Sequence, residues 1–362
     1  MKRDDTLLSR IGMPLFLATL MFIGQGCNSR RMSFDAGLAA YNRADFAGAL
    51  ESWRSLADRG LPQAEVGVGL LYYYGRGVER DCVNAFKWPR KAADAGDSTA
   101  RIPVGLMYYY GVGVQQDYVQ AWSWIDKAAE DGDPRAQRTV ALMWHEGKGV
   151  IQDWSRAALW FRKAAEQGDA IAQNGLGMME HDGEGVRQDY FEAVTWFRRA
   201  GNEGLADAVY NLGFCYERGE GVPRDYVRAA QLYRIAAEQG LAVAQNDLGR
   251  LYEQGRGVEP DDAEAAGWYR KAADQNLATA QNNLGRMYEY GKGVPQDYEI
   301  ADSWFYFATL SCSAVEKEYR VPKALSSGEL AAQIADISMI GLSEVMDSWQ
   351  REQIKGSFPY VR

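Results

Sequence analysis

Residues 72–81 read YYYGRGVERD, and the glycine-x-glycine-valine segment that begins at Gly75 within them returns throughout the chain. It recurs at a constant spacing of 36 residues, at Gly111, Gly147, Gly183, Gly219, Gly255 and Gly291. A ligand-binding loop is normally used once in a domain, whereas a structural turn recurs with the unit that it closes. The spacing therefore predicts one supersecondary unit, repeated in tandem as a solenoid.

The residues on either side of the turn show the apolar periodicity of two helices per unit. The first helix carries apolar residues at i, i+4, i+7 and i+8, in Ala64, Val68, Leu71 and Tyr72. The second carries them at i, i+3, i+4 and i+7, in Ala121, Trp124, Ile125 and Ala128. We expect both stripes to form the core, so that replacing Trp160, which is equivalent to Trp124, with alanine costs about 3–5 kcal/mol.

The turn itself consists of residues that end one helix and begin the next. Glycine permits the left-handed backbone that commonly ends a helix, and Asp81 stands where a carboxylate can accept the unpaired N–H groups of the second helix. A phosphate-binding loop would need a preceding strand and a following Lys-Ser/Thr, and neither is present. A further glycine inside the first helix, such as Gly69 or Gly177, costs about 1 kcal/mol relative to alanine. It therefore predicts close approach of the paired helix that bears the tryptophan.

At this level of detail the unit resembles the Sel1-like repeat, a relative of the tetratricopeptide repeat, as in AQNNLGRMYEYGKGVPQDYEIADSWF at residues 280–305. The resemblance covers residues 63–312 and implies an all-α fold, an α/α solenoid with a right-handed superhelix. Residues 33–62 resemble a tetratricopeptide-type opening helix pair. Residues 313–362 lack the motif, and their capping-box pattern from Ser326 to Glu329 predicts helices that close the array.

The N-terminus has the features of an export signal. Lys2, Arg3 and Arg10 precede an apolar segment, 11–23, that at 13 residues is too short to span a bilayer. The Gly24-Gln25-Gly26-Cys27 segment that follows resembles the bacterial lipoprotein processing site, which implies lipidation of Cys27. Cleavage nearby without a lipid is the alternative. We expect residues 1–27 to be a signal peptide, and the protein to be exported and either periplasmic or anchored to the outer membrane.

Composition argues against several classes of partner. The net charge of −9, with no run of Lys or Arg, disfavours nucleic acid. Apart from Cys27, three cysteines stand at unrelated repeat positions, so they give no disulfide framework. No cofactor is predicted, and we expect a monomer.

The chain contains only two histidines, and they define the one candidate metal site. His145 and His181 occupy the same repeat position, and Glu217 occupies it one repeat later. Equivalent helices of stacked repeats lie about 10 Å apart, so these side chains could hold zinc or another transition metal. Two surface histidines without a metal are the favoured interpretation, because no H-E-x-x-H spacing is present.

Enzymatic activity is not predicted. Some Sel1-like proteins have been associated with β-lactam hydrolysis or binding, but those members carry disulfides in every repeat. This chain does not, and it also lacks the Ser-x-x-Lys and Lys-Thr-Gly motifs. A β-lactam- or metal-dependent hydrolase therefore remains only an alternative.

Four positions of the first helix, those of Val66, Leu70, Tyr73 and Tyr74, change from copy to copy. The tetratricopeptide resemblance implies that first helices line a concave groove, which would place these side chains toward a partner. The candidate partner-binding residues are Tyr73, Tyr74, Tyr109, Tyr110, Trp144, Arg250 and Arg286. Tyrosine and arginine supply much of the affinity of protein interfaces. The alternative is that one tyrosine of each pair packs on its own turn. We therefore predict an envelope scaffold that binds a protein or peptide, with polysaccharide stacked on the tyrosines as the alternative.

Overall fold

The computed structural model describes residues 28–315, with side chains described for 34–310, and this part of the chain is built from paired helices without strands. An opening pair, α1 (Asn28–Asn42) and α2 (Phe46–Ala57), precedes the repeats. Repeats 1 to 3 consist of α3 (Pro62–Tyr74) and α4 (Cys82–Asp94), α5 (Arg101–Tyr110) and α6 (Tyr118–Glu130), and α7 (Pro134–Glu146) and α8 (Trp154–Glu166). Repeats 4 and 5 consist of α9 (Ala170–Asp182) and α10 (Tyr190–Asn202), and α11 (Ala206–Arg218) and α12 (Tyr226–Glu238). Repeats 6 and 7 consist of α13 (Ala242–Gln254) and α14 (Asp262–Ala273), and α15 (Ala278–Tyr290) and α16 (Tyr298–Val315).

Two sequence predictions concern other residues. The signal peptide at 1–27 lies outside the described part of the chain, and so does the capping segment from residue 316 onward. Among the helices between residues 28 and 315, none combines the length and the apolar character needed to cross a membrane.

Each helix packs against the helices that precede and follow it in the chain, which makes the fold an α/α solenoid, as predicted. The first-helix stripe is buried as expected, with Ala64, Val68 and Leu71 inaccessible to solvent. In the second helix Ala121 and Ile125 are equally buried. Because each unit buries one stripe of both helices, a continuous apolar core runs between the two layers.

The turns between the two helices of a repeat match the sequence prediction. Gly183 ends α9 in the left-handed conformation, with φ +75°. Asp189 then caps α10, where its carboxylate accepts the N–H groups of Phe191 and Glu192. Capping of this kind stabilises a helix by about 1 kcal/mol, and aspartate does the same for every second helix from α4 to α14.

The second glycine of each turn has a role that the sequence did not reveal, because it packs on the preceding repeat. A Cβ atom on Gly185 would lie 2.2 Å from the carbonyl carbon of Trp154, at the start of α8. The equivalent glycine makes the same contact in the other six repeats, as Gly77 on Phe46, Gly113 on Cys82, Gly149 on Tyr118, Gly221 on Tyr190, Gly257 on Tyr226 and Gly293 on Asp262. Each turn therefore joins two helices and also stacks one repeat on another.

The glycine inside the first helix allows close approach of the paired helix, as predicted. A Cβ on Gly177 would lie 2.8 Å from the Phe197 ring and 3.2 Å from the Ala193 carbonyl oxygen. The residue that approaches the glycine is Phe197, however, and not the tryptophan that precedes it. In repeat 4 the ring of Phe197, which follows the tryptophan, therefore fills the interior.

Trp160 lies at the edge of the core, which corrects its prediction, whereas the equivalent Trp196 and Trp268 are buried. Trp160 is half-buried and its neighbour Phe161 is only 4% exposed. The Nζ atom of Lys163 stands 3.8 Å from the centre of the Trp160 ring and covers its outer side. A cation over an indole ring is favourable by about 0.5–1 kcal/mol at an exposed site.

The same pair recurs on other second helices, in Lys91 with Trp88, Lys127 with Trp124, Arg199 with Trp196 and Lys271 with Trp268. Repeat 5 is an exception, because Leu232 replaces the tryptophan and Ile235 replaces the cation. Repeat 7 is a second exception, because Phe307 stands in the place of the cation and its ring contacts Trp304, with 5.8 Å between centres.

Two prolines alter the first repeats. Pro89 lies inside α4, where its ring fills the space beside Gly69. Pro103 lies near the start of α5, which begins at Arg101 after a turn of 3₁₀-helix at Ser98–Ala100. The start of α5 is therefore shifted relative to the other first helices, as the proline predicts.

Candidate partner-binding face

The first helices of successive repeats lie side by side and form one layer. Asn211 donates to Asn174 across 2.9 Å, and the hydroxyl of Tyr210 donates to Asp247 across 2.8 Å. Both bonds join the first helices of consecutive repeats. We use the name first-helix face for the surface formed by three columns of this layer and its turns.

These columns are named after one member each. The Leu142 column contains Leu70, Leu106, Leu142, Met178, Phe214, Arg250 and Arg286. The His145 column contains Tyr73, Tyr109, His145, His181, Glu217, Glu253 and Glu289. The Glu184 column, between the two turn glycines, contains Arg76, Val112, Lys148, Glu184, Glu220, Arg256 and Lys292.

The four predicted tyrosines form two edge-to-face pairs. The ring centres of Tyr73 and Tyr74 are 5.2 Å apart, and those of Tyr109 and Tyr110 are 4.9 Å apart. Tyr73, Tyr74 and Tyr110 are half-buried, whereas Tyr109 is only 7% exposed. Burial raises the pKa of Tyr74 to about 12 and raises the pKa of the other three as well. These hydroxyls are therefore neutral at any physiological pH, and three rings remain accessible to a partner.

Tyr109 is already engaged by the next repeat. Its hydroxyl donates to Glu146 across 3.2 Å and accepts a hydrogen bond of 2.9 Å from Lys148. Lys148 also forms a 2.7 Å ion pair with Glu146. Tyr109 thus joins repeats 2 and 3, and its burial leaves it little surface for a partner.

Trp144, the fifth aromatic residue predicted for this site, packs against second helices. Its ring stands edge-to-face on Trp122 of α6, with 6.4 Å between centres, and Arg156 of α8 lies 4.6 Å from its centre. The Trp144 ring thus contacts two second helices. Trp144 therefore serves the packing of repeats 2 and 3.

Arg250 and Arg286 belong to the same column but have different surroundings. Arg250 forms a 2.9 Å ion pair with Glu217 and a 3.5 Å contact with Asp247. Burial alone would raise the pKa of Glu217, but hydrogen bonds from Arg250 and Tyr233 lower it. Burial raises the pKa of Asp247 despite the same arginine. Arg250 is thus enclosed in a network within the layer.

Arg286 is the more available of the two arginines. It is 54% exposed at its side chain, and it lies 3.9 Å from Glu253. Lys292 approaches the same carboxylate at 3.8 Å, and the hydroxyl of Tyr269 donates to it across 2.8 Å. Two half-exposed cations therefore share one carboxylate at the C-terminal end of the first-helix face.

The structure gives different partners to the three residues of the candidate metal site. His145 contacts Glu184 at 3.1 Å, and His181 contacts Glu220 at 2.8 Å. Glu217 is occupied by Arg250 and Tyr233. Within residues 28–315, no group of three or more His, Cys, Asp or Glu side chains is arranged to hold a metal ion.

Sequence reasoning missed these contacts between the His145 and Glu184 columns of consecutive repeats. Tyr109 meets Lys148, His145 meets Glu184, His181 meets Glu220 and Glu253 meets Lys292, each pair 39 residues apart. The sequence does contain a signal for them. Lysine follows tyrosine or glutamate at this spacing and glutamate follows histidine, so the paired residues are chemically complementary.

Paired helices, recurrent glycine turns and contacts between consecutive repeats define a solenoid of the tetratricopeptide-like type. The Sel1 repeat model matches residues 62–97, 104–133, 134–169, 170–205, 206–241, 242–277 and 278–309. The chain belongs to the Sel1 repeat family. Proteins of this family generally mediate protein–protein interaction on a scaffold that is generally non-catalytic.

Solved structures show similar proteins. The chain is 30% identical to a Sel1 repeat protein from Oxalobacter formigenes, with a TM-score of 0.62 over 84% of this chain and 97% of that one. It is 29% identical to a protective antigen of uropathogenic Escherichia coli strains that displays an SLR fold, with a TM-score of 0.45 over 92% of this chain and 88% of that one. A comparison with curated protein sequences finds no match.

Proposed function

We propose that this chain is a non-catalytic scaffold of the bacterial cell envelope that holds a protein or peptide partner on its first-helix face. One observation carries the proposal: the columns of this face change their chemistry along the array while the core columns beside them do not. The Ala64 column is alanine in every repeat, whereas the His145 column passes from tyrosine to histidine to glutamate. Packing alone accounts for the constant alanine of the Ala64 column. It does not require one residue type in the His145 column, which can therefore serve recognition.

The accessible residues at the two ends of the face are the proposed contacts. Tyr73 and Tyr74 present half-buried rings near the N-terminal end, and Arg286 presents a half-exposed guanidinium near the C-terminal end. Aromatic residues and arginine are enriched among the residues that dominate binding energy at protein interfaces. Tyr109, Trp144 and Arg250 are left out of the proposed contacts, because Tyr109 is buried, Trp144 packs against second helices and Arg250 is ion-paired with Glu217.

Affinity capture with matched variants tests this proposal. The mature chain, residues 28–362, would be used to capture proteins from envelope extract beside the Tyr73→Ala/Tyr74→Ala/Arg286→Ala variant. A Leu159→Ala/Ile235→Ala variant is the control, since both residues are exposed on second helices. A partner retained by the native chain and the control but lost by the triple variant supports the proposal. Equal capture by all three chains contradicts it.

Binding of purified peptidoglycan or other envelope glycan in the same format separates the two kinds of ligand. Loss of glycan binding in the tyrosine variant, with no protein partner captured, would identify the polysaccharide function instead. Retention of every ligand by the variant would place recognition on another surface.

The envelope location rests on the N-terminal sequence and has its own test. Mass spectrometry of the N-terminal peptide should find a lipid on Cys27, and Cys27→Ser should move the protein from the membrane fraction to the soluble fraction. An unmodified mature N-terminus near residue 27 would indicate simple secretion. A chain that keeps residues 1–27 would contradict export.

A further inference from the structure

Both histidines of the chain occur in the same kind of contact between repeats. The Nε2 atom of His145 lies 3.1 Å from Glu184, and that of His181 lies 2.8 Å from Glu220. Each glutamate belongs to the turn of the following repeat, so each histidine joins two repeats. Histidine changes its charge between about pH 5 and 8, and a histidine placed between two carboxylates can donate to both only when it is protonated.

The same contact elsewhere in the array uses other side chains. Between repeats 2 and 3 it joins Tyr109 to Lys148, and between repeats 6 and 7 it joins Glu253 to Lys292. Neither of these pairs contains a histidine, the side chain whose ordinary pKa lies between about 5 and 8. The contact of His181, between repeats 4 and 5, therefore differs from them in kind.

The groups around His181 determine the direction of its response. Asp182 accepts from Nδ1 across 2.6 Å and Glu220 lies on Nε2, so both ring nitrogens face carboxylates. The rings of Tyr190 from α10 and Phe214 from α11 flank the imidazole, with centres 5.0 and 6.1 Å away.

Each of these neighbours affects the imidazole differently. The bond with Asp182 raises the pKa of His181, partial burial lowers it, and Glu220 adds to the increase, so the net pKa is above the ordinary value. The nearby cation Arg218 lies 5.2 Å from the Phe214 ring and does not hydrogen-bond to the imidazole in this arrangement.

From this geometry we propose that His181 is a pH-sensitive clasp that couples repeats 4 and 5 more tightly as the medium becomes acidic. Only the doubly protonated ring can donate to Asp182 and Glu220 at the same time. As the pH rises through the raised pKa of His181, the ring loses one donor and one of the two carboxylates loses its partner. The stiffness of the central first-helix face then depends on pH, independently of what the face binds.

The sign of the stability effect follows from proton linkage. The folded chain binds the proton on His181 more tightly than the unfolded chain does, since the pKa is raised on folding. Its stabilising contribution is complete below the unfolded histidine value of about 6.5, and it is lost as the pH rises through the higher folded value.

NMR titration of the native chain tests the clasp directly. The two imidazole signals are assigned with His145→Gln and His181→Gln, and that of His181 should titrate above the value of a denatured-chain histidine. Glu220→Gln should move this midpoint downward. A midpoint at or below the denatured value, or one that does not respond to Glu220→Gln, overturns the proposal.

Denaturation across pH tests the coupling. The stability lost in His181→Gln relative to the native chain should be largest near pH 5.5 and should shrink as the pH approaches 8.5. Glu289→Gln, in the same column, is the control and should have an effect that is flat over this range. Amide exchange in α9 and α11, corrected for intrinsic rate, should be more protected at the lower pH. A flat difference for His181→Gln, or equal protection at both pH values, contradicts the clasp.

Discussion

The two helical layers of this solenoid differ in how strictly they repeat. In the second-helix layer repeats 3, 4 and 6 each have a buried ring behind a tryptophan and a cation over that tryptophan, as in Phe161, Trp160 and Lys163. On the first-helix face no column keeps one chemical type, and the contacts change from tyrosine and lysine to histidine and glutamate along the array. In the first-helix layer the residues that pack the core therefore keep one chemical type from repeat to repeat, whereas the residues of the first-helix face change.

The difference shows which requirements the stacking of repeats imposes. A second helix packs against its own first helix and against the next one, so its apolar stripe must fill both contacts. A first-helix side chain on the face needs only a compatible neighbour in the adjacent repeat, and several chemical pairs satisfy that need.

The largest effect should come from emptying the buried ring position. Phe161→Ala is expected to lower the free energy of unfolding by about 3–5 kcal/mol, because a buried aromatic side chain is replaced by a cavity. Urea denaturation of the full chain measures it. Phe191→Ala is the control on a second helix, since Phe191 is 74% exposed, and it should change stability by less than about 0.5 kcal/mol. Equal losses for the two variants would contradict the assigned helix faces.

The enclosed arginine should matter more than its exposed equivalent. Arg250→Met leaves Glu217 and Asp247 without their cation, and it should cost about 2 kcal/mol because hydrogen bonds to charged groups are among the stronger ones. Arg286→Met removes a looser and more exposed ion pair and should cost about 0–0.5 kcal/mol. Thermal and urea unfolding measure the loss of stability in each variant. A larger loss for Arg286→Met would contradict the assignment of Arg250 as the more enclosed of the two arginines.

The outer tryptophan should give an intermediate effect. Trp160→Ala is expected to cost about 1–2 kcal/mol, less than the core estimate made from sequence, because only part of the side chain is removed from water. The same unfolding experiment as for Phe161→Ala gives the comparison. A loss of stability as large as that of Phe161→Ala would mean that Trp160 is part of the core.

The smallest effect should come from the cation over that tryptophan. Lys163→Ala should lose about 0.5 kcal/mol, the value typical of an exposed cation over a ring. Repeat 5 offers the reciprocal test, because Ile235→Lys should stabilise the chain only when Leu232→Trp is also present. A gain from Ile235→Lys alone would mean that the cation acts through something other than the indole.

The sequence was sufficient to predict the fold, because each repeated residue type answers a local requirement. Gly183 ends a helix and Asp189 begins one, and both requirements can be read within a few residues of the chain. The apolar stripes were predicted for the same reason, since helical periodicity depends only on spacing. Whether the chain carries the signal peptide and closing helices that its ends suggest stays a prediction.

The candidate face was predicted less completely, because it depends on how one repeat is rotated on the next. The contact of His181 with Glu220 joins residues in different helices and different repeats. Helical spacing does not specify that distance. The same holds for Tyr109, whose burial comes from Glu146 and Lys148 of the following repeat, and for Trp144, which packs on α6 and α8.

The contact of Gly185 with the backbone of Trp154 bears on how a chain of this kind can change its length. Because each turn must reach a fixed point on the previous repeat, adding or deleting a single residue within it would withdraw the glycine from that point. The seven turns accordingly have the same number of residues. Such an array gains or loses material in whole units of 36 residues, so gene duplication and unequal crossing-over, rather than small insertions, are the events that this architecture tolerates.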